Sequence, residues 1–197
     1  GLTNRDVLEL VLRIAGFTVL AQLLNAVSLE RGQMLARERE LARADFLTGL
    51  ANERALRERL ATEPGRALLV LRVEDMTGIA DLLGAAAAEE VERALARDLR
   101  ERHPAATVAR LDRGRYALYP FTAAAGDALA GATALYRALD GRVFRGESDV
   151  IALRPTLAVV TARDGNGESA LLAADLALAV AAASSGERVE VSTHAGD

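Results

Sequence analysis

The side chains best suited to chemistry lie close together in one short stretch, Arg110-Leu111-Asp112-Arg113-Gly114-Arg115-Tyr116. Guanidinium groups bind phosphate bidentately, so clustered arginines are candidate phosphate ligands. Apolar residues alternate on both sides of this stretch, and Gly114 can supply the positive φ that a tight turn needs. The sequence therefore predicts a β-hairpin over residues 106–121 with charges at its tip. Turn chemistry alone would also explain these residues, so the hairpin tip is either a structural turn or a site.

Composition excludes several classes of function. The chain has 197 residues, of which 51% are hydrophobic, enough for one full core and an extension. Its net charge of −4 provides no broad field for nucleic acid or anionic lipid. Cysteine is absent, and His103 and His194 are too far apart to suggest a metal site. All 24 basic residues are arginine, which excludes P-loop and lysine-based mechanisms.

Residues 1–44 are predicted to form a long helix. It starts after a cap at Thr3 or Asn4 and would span ~60 Å at ~1.5 Å per residue. Apolar residues recur at heptad spacing and form a predicted dimer seam of Phe17, Leu20, Leu24, Val27, Met34 and Leu41. Arg31 and Glu38 fall on the same seam and weaken its C-terminal part. The pattern is typical of a coiled-coil helix that joins two copies of the chain.

The first half of this predicted helix is also apolar enough to be considered as a membrane-spanning segment. Residues 7–29 are apolar on nearly every face, but the charge-free run from Ile14 to Leu29 has only 16 residues. A spanning helix needs about 20 apolar residues, so the run is short. Two interpretations stay open: the last membrane helix of a longer protein that extends before Gly1, or an apolar dimerisation helix. We favour the second for this chain.

The predicted helix is followed by the segment Asp45-Phe46-Leu47-Thr48-Gly49-Leu50-Ala51-Asn52. Gly49 allows a sharp turn, and Asn52 can cap a helix that begins at Glu53. The pattern D-x-L-T-G-L-x-N resembles the start of a GGDEF domain, the diguanylate cyclase family. The hairpin fits the family frame R-x-G-G-D/E-E-F, and residues 171–178 match its late L-x-x-A-D-x-A-L helix. The resemblance runs from Asp45 to about Val191, which defines a second domain over residues 45–197.

This resemblance implies an α+β fold like that of nucleotidyl cyclases: a central, mainly antiparallel sheet of about five strands, flanked by helices. Residues 67–71 form a continuous apolar run and are predicted to be a buried central strand. Helices are expected over residues 86–102 and 123–139, with strands over 150–153 and 156–161. The hairpin is expected at the centre of the sheet.

The resemblance also implies a nucleotide site, but this chain departs from it. Active family members condense two GTP molecules into cyclic di-GMP, with divalent cations held by carboxylates at the strand end and hairpin tip. We call the corresponding residues here the vestigial positions: Arg72, Ala80, Glu89, Asp112, Arg113, Gly114 and Arg115.

Most of these positions have lost the chemistry that the family places there. Arg72 and Gly114 replace the two acidic metal ligands, and Asp112 and Arg113 replace the glycines that let phosphate approach the backbone. Arg115 replaces the following Glu, while Ala80 and Glu89 replace the Asn and Asp of base recognition. The late helix lacks the phosphate-binding Lys, and the inhibitory R-x-x-D motif is absent from residues 103–106. Glu74 is a candidate substitute ligand but is predicted to be an ordinary surface acid.

Two functions follow. We expect a catalytically inactive GGDEF-like domain, with no catalytic residue, metal or cofactor, that dimerises through its N-terminal helix and binds a protein partner in signalling. The alternative is a receptor for GTP or cyclic di-GMP that uses Glu89 with Arg72, Arg113 and Arg115. Nucleic acid is not expected as a partner. The expected location is the cytoplasm, either free or at the inner face of the cytoplasmic membrane if residues 7–29 enter it.

Overall fold

The computed structural model describes residues 43–74, 76–122, 127–145, 150–163 and 166–192. The chain divides into residues 1–42 and residues 43–197. The predicted N-terminal helix and its dimer seam therefore lie outside the described residues, apart from the helix's last two positions. In the part that the structure describes, no helix is both long and apolar enough to span a membrane.

Residues 43–197 contain eight strands and five helices among the described residues. The strands are β1 (Ala51–Asn52), β2 (Arg66–Val73), β3 (Thr107–Asp112), β4 (Arg115–Tyr119), β5 (Val143–Arg145), β6 (Val150–Ala152), β7 (Pro155–Ala162) and β8 (Val189–Ser192). The helices are α1 (Glu53–Thr62), α2 (Met76–Leu83), α3 (Ala85–Arg102), α4 (Ala128–Leu139) and α5 (Gly167–Ala182).

A mixed six-stranded sheet with the order β1-β3-β4-β2-β7-β8 forms the centre of this unit. The inner pairings, β3 with β4, β4 with β2 and β2 with β7, are antiparallel, whereas β1 and β8 add in parallel at the two edges. The expected α+β fold with a mainly antiparallel sheet is confirmed, with six strands rather than about five. The predicted strand at residues 150–153 instead pairs with β5 in a separate two-stranded sheet.

Both faces of the sheet are covered, which explains the continuous apolar sequence of β2. One face packs against α2, α3 and α4, and alternate residues of β2, such as Leu69 and Leu71, point into this core. The other face packs against α1 and α5 around Leu68 and Val70. Because side chains alternate along a strand, Arg72 lies on the α1/α5 face.

Local signals in the sequence fix several helix boundaries. The Asn52 side chain accepts a hydrogen bond from the Ala55 amide and caps α1, as predicted. Gly84, at φ +88°, separates α2 from α3, a conformation that costs other residues strain. The predicted helix over residues 123–139 begins only at Ala128, because Asp127 is extended and its side chain accepts hydrogen bonds from the Leu129 and Ala130 amides as the N-cap.

Candidate functional site

The sheet brings Arg72 and Arg115 side by side at the end of the two central strands. Arg72 is the register partner of Arg115 in β4 and of Thr156 in β7. Like charges directly opposite each other in an antiparallel pair are destabilising. The arrangement therefore places two cations where the family resemblance implied a metal site, and at least one of them needs a counter-charge.

Arg115 obtains that counter-charge from α5. Its Nη2 donates to Oδ1 of Asp175 at 2.5 Å, and its Nη1 lies 3.7 Å from Oδ2 of Asp112. The Arg115 side chain is only 17% exposed. Arg115 is thus largely buried, and one end of its guanidinium is bound by a carboxylate of its own chain.

Sequence reasoning missed Asp175 as a member of this site. In the sequence it stands out only as a fixed residue of the late-helix motif, 60 residues from Arg115 in the chain. One signal could have suggested the contact. The late-helix motif contains an acid, Asp175, and the hairpin has an arginine, Arg115, where the family has Glu, so the two side chains carry opposite charges.

The hairpin tip is built around Gly114 as predicted. The turn residues Arg113 and Gly114 join β3 to β4, and the register shifts between Arg110 and Asp112 through a β-bulge. Gly114 has φ +71°, and its carbonyl accepts a hydrogen bond from the Val73 amide at 2.7 Å.

Gly114 also leaves no room for a side chain. A Cβ atom added there would lie 2.6 Å from Cγ of Met76 and 2.9 Å from the Val73 carbonyl oxygen. Positive φ and close backbone contact both restrict this position to glycine. The position that carries an acidic metal ligand in the family frame therefore cannot accept one here without local rearrangement.

Glu74, the candidate substitute ligand, is also bound within the chain. Its Oε2 accepts from Nη1 of Arg188 at 2.5 Å, and its Oε1 accepts from the Thr156 hydroxyl at 3.3 Å. The Glu74 side chain is 32% exposed and bound by a cation, a partner that the prediction of an ordinary surface acid did not include. Arg188 precedes β8, a strand that the sequence reasoning did not predict.

These contacts bear on whether the residues fit the Mg²⁺ that the fold family implies. Mg²⁺ prefers several hard oxygen ligands in near-octahedral geometry. Within the described ranges, no group of three or more His, Cys, Asp or Glu residues could hold a metal ion. Arg72, Gly114 and an arginine-bound Glu74 occupy the positions concerned, so the residues do not fit the metal.

The two base-recognition positions, Ala80 and Glu89, lie on helices α2 and α3. Ala80 lies on α2, partly buried against the core. Glu89 lies on α3, where its carboxylate pairs with Arg93 at 2.7 Å in an exposed i,i+4 ion pair. Arg72 and Arg113 are exposed, and neither forms an ion pair with any described residue. Of the four residues proposed for the receptor alternative, two are thus paired within the chain.

A second polar cluster lies behind the hairpin and contains the first residue of the D-x-L-T-G-L-x-N motif. Arg110 Nη1 donates to Oδ2 of Asp45 at 2.9 Å, and its Nε lies 2.6 Å from Oε2 of Glu92, which is 2% exposed. Asp45 also accepts from the amide and hydroxyl of Thr48. This cluster joins the turn at the start of the domain to β3 and α3.

The pKa shifts in this cluster follow from burial and partners. Burial acts to raise the pKa of Asp45, but the hydrogen bonds from Thr48 and the contact with Arg110 outweigh it and lower that pKa. Burial also acts to lower the pKa of Arg110, but Glu92 and Asp45 raise it. Burial and the nearby Glu92 carboxylate raise the pKa of the Tyr116 phenol well above its usual value. Asp45 and Arg110 therefore keep their charges over the physiological pH range.

Comparison with solved structures identifies the fold. The chain is similar to the coiled coil and GGDEF domain of DgcB from Caulobacter crescentus, in a complex with c-di-GMP (TM-score 0.64, 24% identity, 89% of this chain and 100% of that one). It is also similar to the diguanylate cyclase SiaD from Pseudomonas aeruginosa, in a complex with its activator SiaC (TM-score 0.66, 21% identity, 95% and 78% covered). A third match is the GGDEF domain of YfiN, also named TpbB, from Pseudomonas aeruginosa (TM-score 0.63, 22% identity, 74% and 98% covered).

The chain thus has the fold of GGDEF diguanylate cyclase domains, as the sequence resemblance implied. No protein-family model and no curated protein matches it.

Proposed function

We propose that this chain is a catalytically inactive GGDEF-fold module that acts in signalling by dimerising and binding a protein partner. The observation that carries the proposal is the ion pair between Arg115 and Asp175. At this vestigial position the charge of Arg115 is balanced by a carboxylate of the same chain. Glu74 and Arg188 form a second such pair nearby. The charges of Arg115 and Glu74 are thus matched within the chain and need no nucleotide or metal for stability.

The preserved scaffold supports the same proposal. The Asp45–Arg110–Glu92 cluster and the hairpin register are intact, whereas the ligand positions are changed. Retention of the fold without its chemistry is expected if the surface of the domain, rather than its site, carries the function. We include residues 1–44 in the proposal as a separate helical domain that joins two copies through its seam.

A protein partner is proposed on two grounds. A module without catalysis passes on a signal only by contact, and SiaD, which shares the fold, was crystallised in a complex with its activator. We place the function in the cytoplasm, and a membrane contact through residues 7–29 is the alternative for that segment. A pull-down from the native host with the full chain as bait would identify the partner, with the Val27→Asp chain as a control for dimer-dependent capture.

The second candidate is a receptor for GTP or c-di-GMP, favoured by the exposed and unpaired state of Arg72 and Arg113 among the described residues. Isothermal titration separates the two candidates. We expect no saturable heat from either nucleotide at micromolar concentrations, with or without Mg²⁺. Saturable binding that is lost in Arg113→Ala, but kept in the control Arg97→Ala on the outer face of α3, would establish the receptor instead.

A further inference from the structure

Helix α5 presents an apolar outer face to solvent. Leu172, Leu176 and Val180 are 62%, 61% and 56% exposed and lie four residues apart, so their side chains form one row along the helix. Exposed Ala179 and Ala183 continue the face alongside this row. We call these five residues the α5 face.

This face is unusual for a surface helix. Such helices normally carry charged residues on the side away from the core, and a helix that is apolar all round is normally buried. Helix α3 follows the rule, with Arg93, Arg97 and Glu101 exposed. The only charged residues of α5 are Glu168 in its first turn and Asp175, which is bound to Arg115. The α5 face therefore has the composition of a contact surface.

We propose that the α5 face packs against the α5 face of a second copy of this chain, around a twofold axis near Leu176. In a twofold contact each patch meets its own copy, so any central charge would oppose a like charge. The row of Leu172, Leu176 and Val180 carries no charge, and the adjacent Asp175 is paired with Arg115. Ridges of residues four apart on two helices interdigitate, and the adjacent alanines allow the helices to approach closely.

The size of the face favours a tethered second copy over a free protein partner. Helix α5 is 16 residues long, about 24 Å, and presents only a few residues per copy. Stable interfaces between free proteins bury roughly 800 Å² per partner with about 20–30 residues a side. A small face is enough to form a contact when the two chains are already joined elsewhere, because the linker raises the effective concentration of one face around the other to the millimolar range. The inference therefore rests on the proposed dimer of residues 1–44.

The absence of cysteine from the chain makes a crosslinking test direct. Leu176→Cys is introduced into the full chain and treated with a short bis-maleimide. Leu129→Cys is the matched control, because Leu129 is a 49% exposed leucine on α4, on the opposite face of the sheet. Both positions are exposed, so neither change should impair folding, which circular dichroism can verify.

We expect Leu176→Cys to form a covalent dimer at least about tenfold faster than Leu129→Cys, because the proposed contact holds the two Leu176 positions against each other, whereas the tether alone raises the effective concentration of both sites equally. Adding Val27→Asp to Leu176→Cys should remove this advantage. Equal rates for the two cysteines would overturn the proposal. An absence of crosslinking in a chain that sediments as a dimer would overturn it too, while leaving the proposed dimer intact and the α5 face open to another protein. A monomeric parent would overturn both, because the face is too small to act alone.

Discussion

Arg115 and Asp175 join the hairpin to the late helix across 60 residues of sequence, with 2.5 Å between Nη2 and Oδ1. Arg115 lies opposite Arg72 in the sheet, so the ion pair of Arg115 with Asp175 also offsets the repulsion between the two arginines. An arginine at this position stabilises the domain only if the acid of α5 is present. Arg115, which departs from the family frame, thus depends on Asp175, which matches the late-helix motif.

Asp175→Asn tests this dependence. Removing the carboxylate leaves a largely buried guanidinium without its main partner, and Asp175 itself is 39% exposed. We expect a loss of about 1–2 kcal/mol in the free energy of unfolding, between the values for exposed and buried pairs. Urea denaturation measures it.

Asp112→Asn provides the control for that experiment, because Asp112 is 61% exposed and lies 3.7 Å from the same arginine. It should change the free energy of unfolding by less than about 0.5 kcal/mol. Equal effects of the two variants would show that the ion pair with Asp175 has no special role.

Gly114→Glu tests whether the lost metal ligand can be restored. The substitution introduces a side chain at φ +71° and pushes a Cβ atom against Met76 and the Val73 carbonyl. We expect a cost of about 2–4 kcal/mol, from backbone strain together with overpacking. The double variant Arg72→Asp with Gly114→Glu should remain inactive with GTP and Mg²⁺.

Gly141 offers a matched control for the backbone contribution. It has φ +68°, and no atom lies within 4 Å of a Cβ added there. Gly141→Ala should therefore cost only about 1 kcal/mol, and Gly114→Ala clearly more. If the two alanine variants are equally stable by thermal unfolding, the steric argument fails.

Much of the fold could be predicted because local rules determine it. The continuous apolar run of β2, the alternation on both sides of Gly114 and the cap at Asn52 each have a direct physical cause, and all three are confirmed. Strand β5 was missed because three residues carry no measurable period, and β8 was missed although Val189 to Ser192 alternate apolar and polar residues, because four residues are the shortest run in which that signal counts. The separate helix α2 was missed although Asp75 and Gly84, residue types typical of helix ends, flank it in the sequence.

The site was harder to predict than the fold. The family resemblance pointed to the positions where ligands are expected, but it could not show which contacts the residues at those positions make. The Glu74–Arg188 pair spans 114 residues, and Arg188 belongs to no motif. Contacts of this kind depend on which strands and helices meet in space.

The Asp45–Arg110 contact predicts a pH-dependent contribution to stability. The folded pKa of Asp45 is lowered, so its stabilising effect is complete above the unfolded pKa of about 3.9 and is lost as pH falls through the folded value. Asp45→Asn should cost about 1.5–3 kcal/mol at neutral pH, because a hydrogen-bonded charge is removed.

The difference in stability between Asp45→Asn and the parent should shrink as the pH falls below about 3.9, measured by urea denaturation across a pH series. Glu90→Gln, at an exposed position on α3, should match the parent at every pH. If the difference between the parent and the Asp45→Asn variant does not depend on pH, the charge of Asp45 is not what stabilises the turn.

Dimerisation through the predicted seam is tested by Val27→Asp. Phe17, Leu20, Leu24 and Val27 would each contribute ~1.5–3 kcal/mol if fully buried against a twin helix. A charge at Val27 should convert a dimeric parent into a monomer in sedimentation experiments. Gln22→Asp places the same charge off the seam and should leave the dimer unchanged. A parent that is monomeric at tens of micromolar would rule out the seam.

Turnover of GTP is the measurement that tests the central claim most directly. The purified full chain is incubated with GTP and either Mg²⁺ or Mn²⁺, and c-di-GMP is quantified by chromatography beside an active diguanylate cyclase. We expect no product above a protein-free blank, because the residues at the metal positions are Arg72 and Gly114 and because Arg188 binds Glu74. Formation of c-di-GMP that is abolished by Glu74→Gln would contradict the proposal that this domain has lost its catalysis.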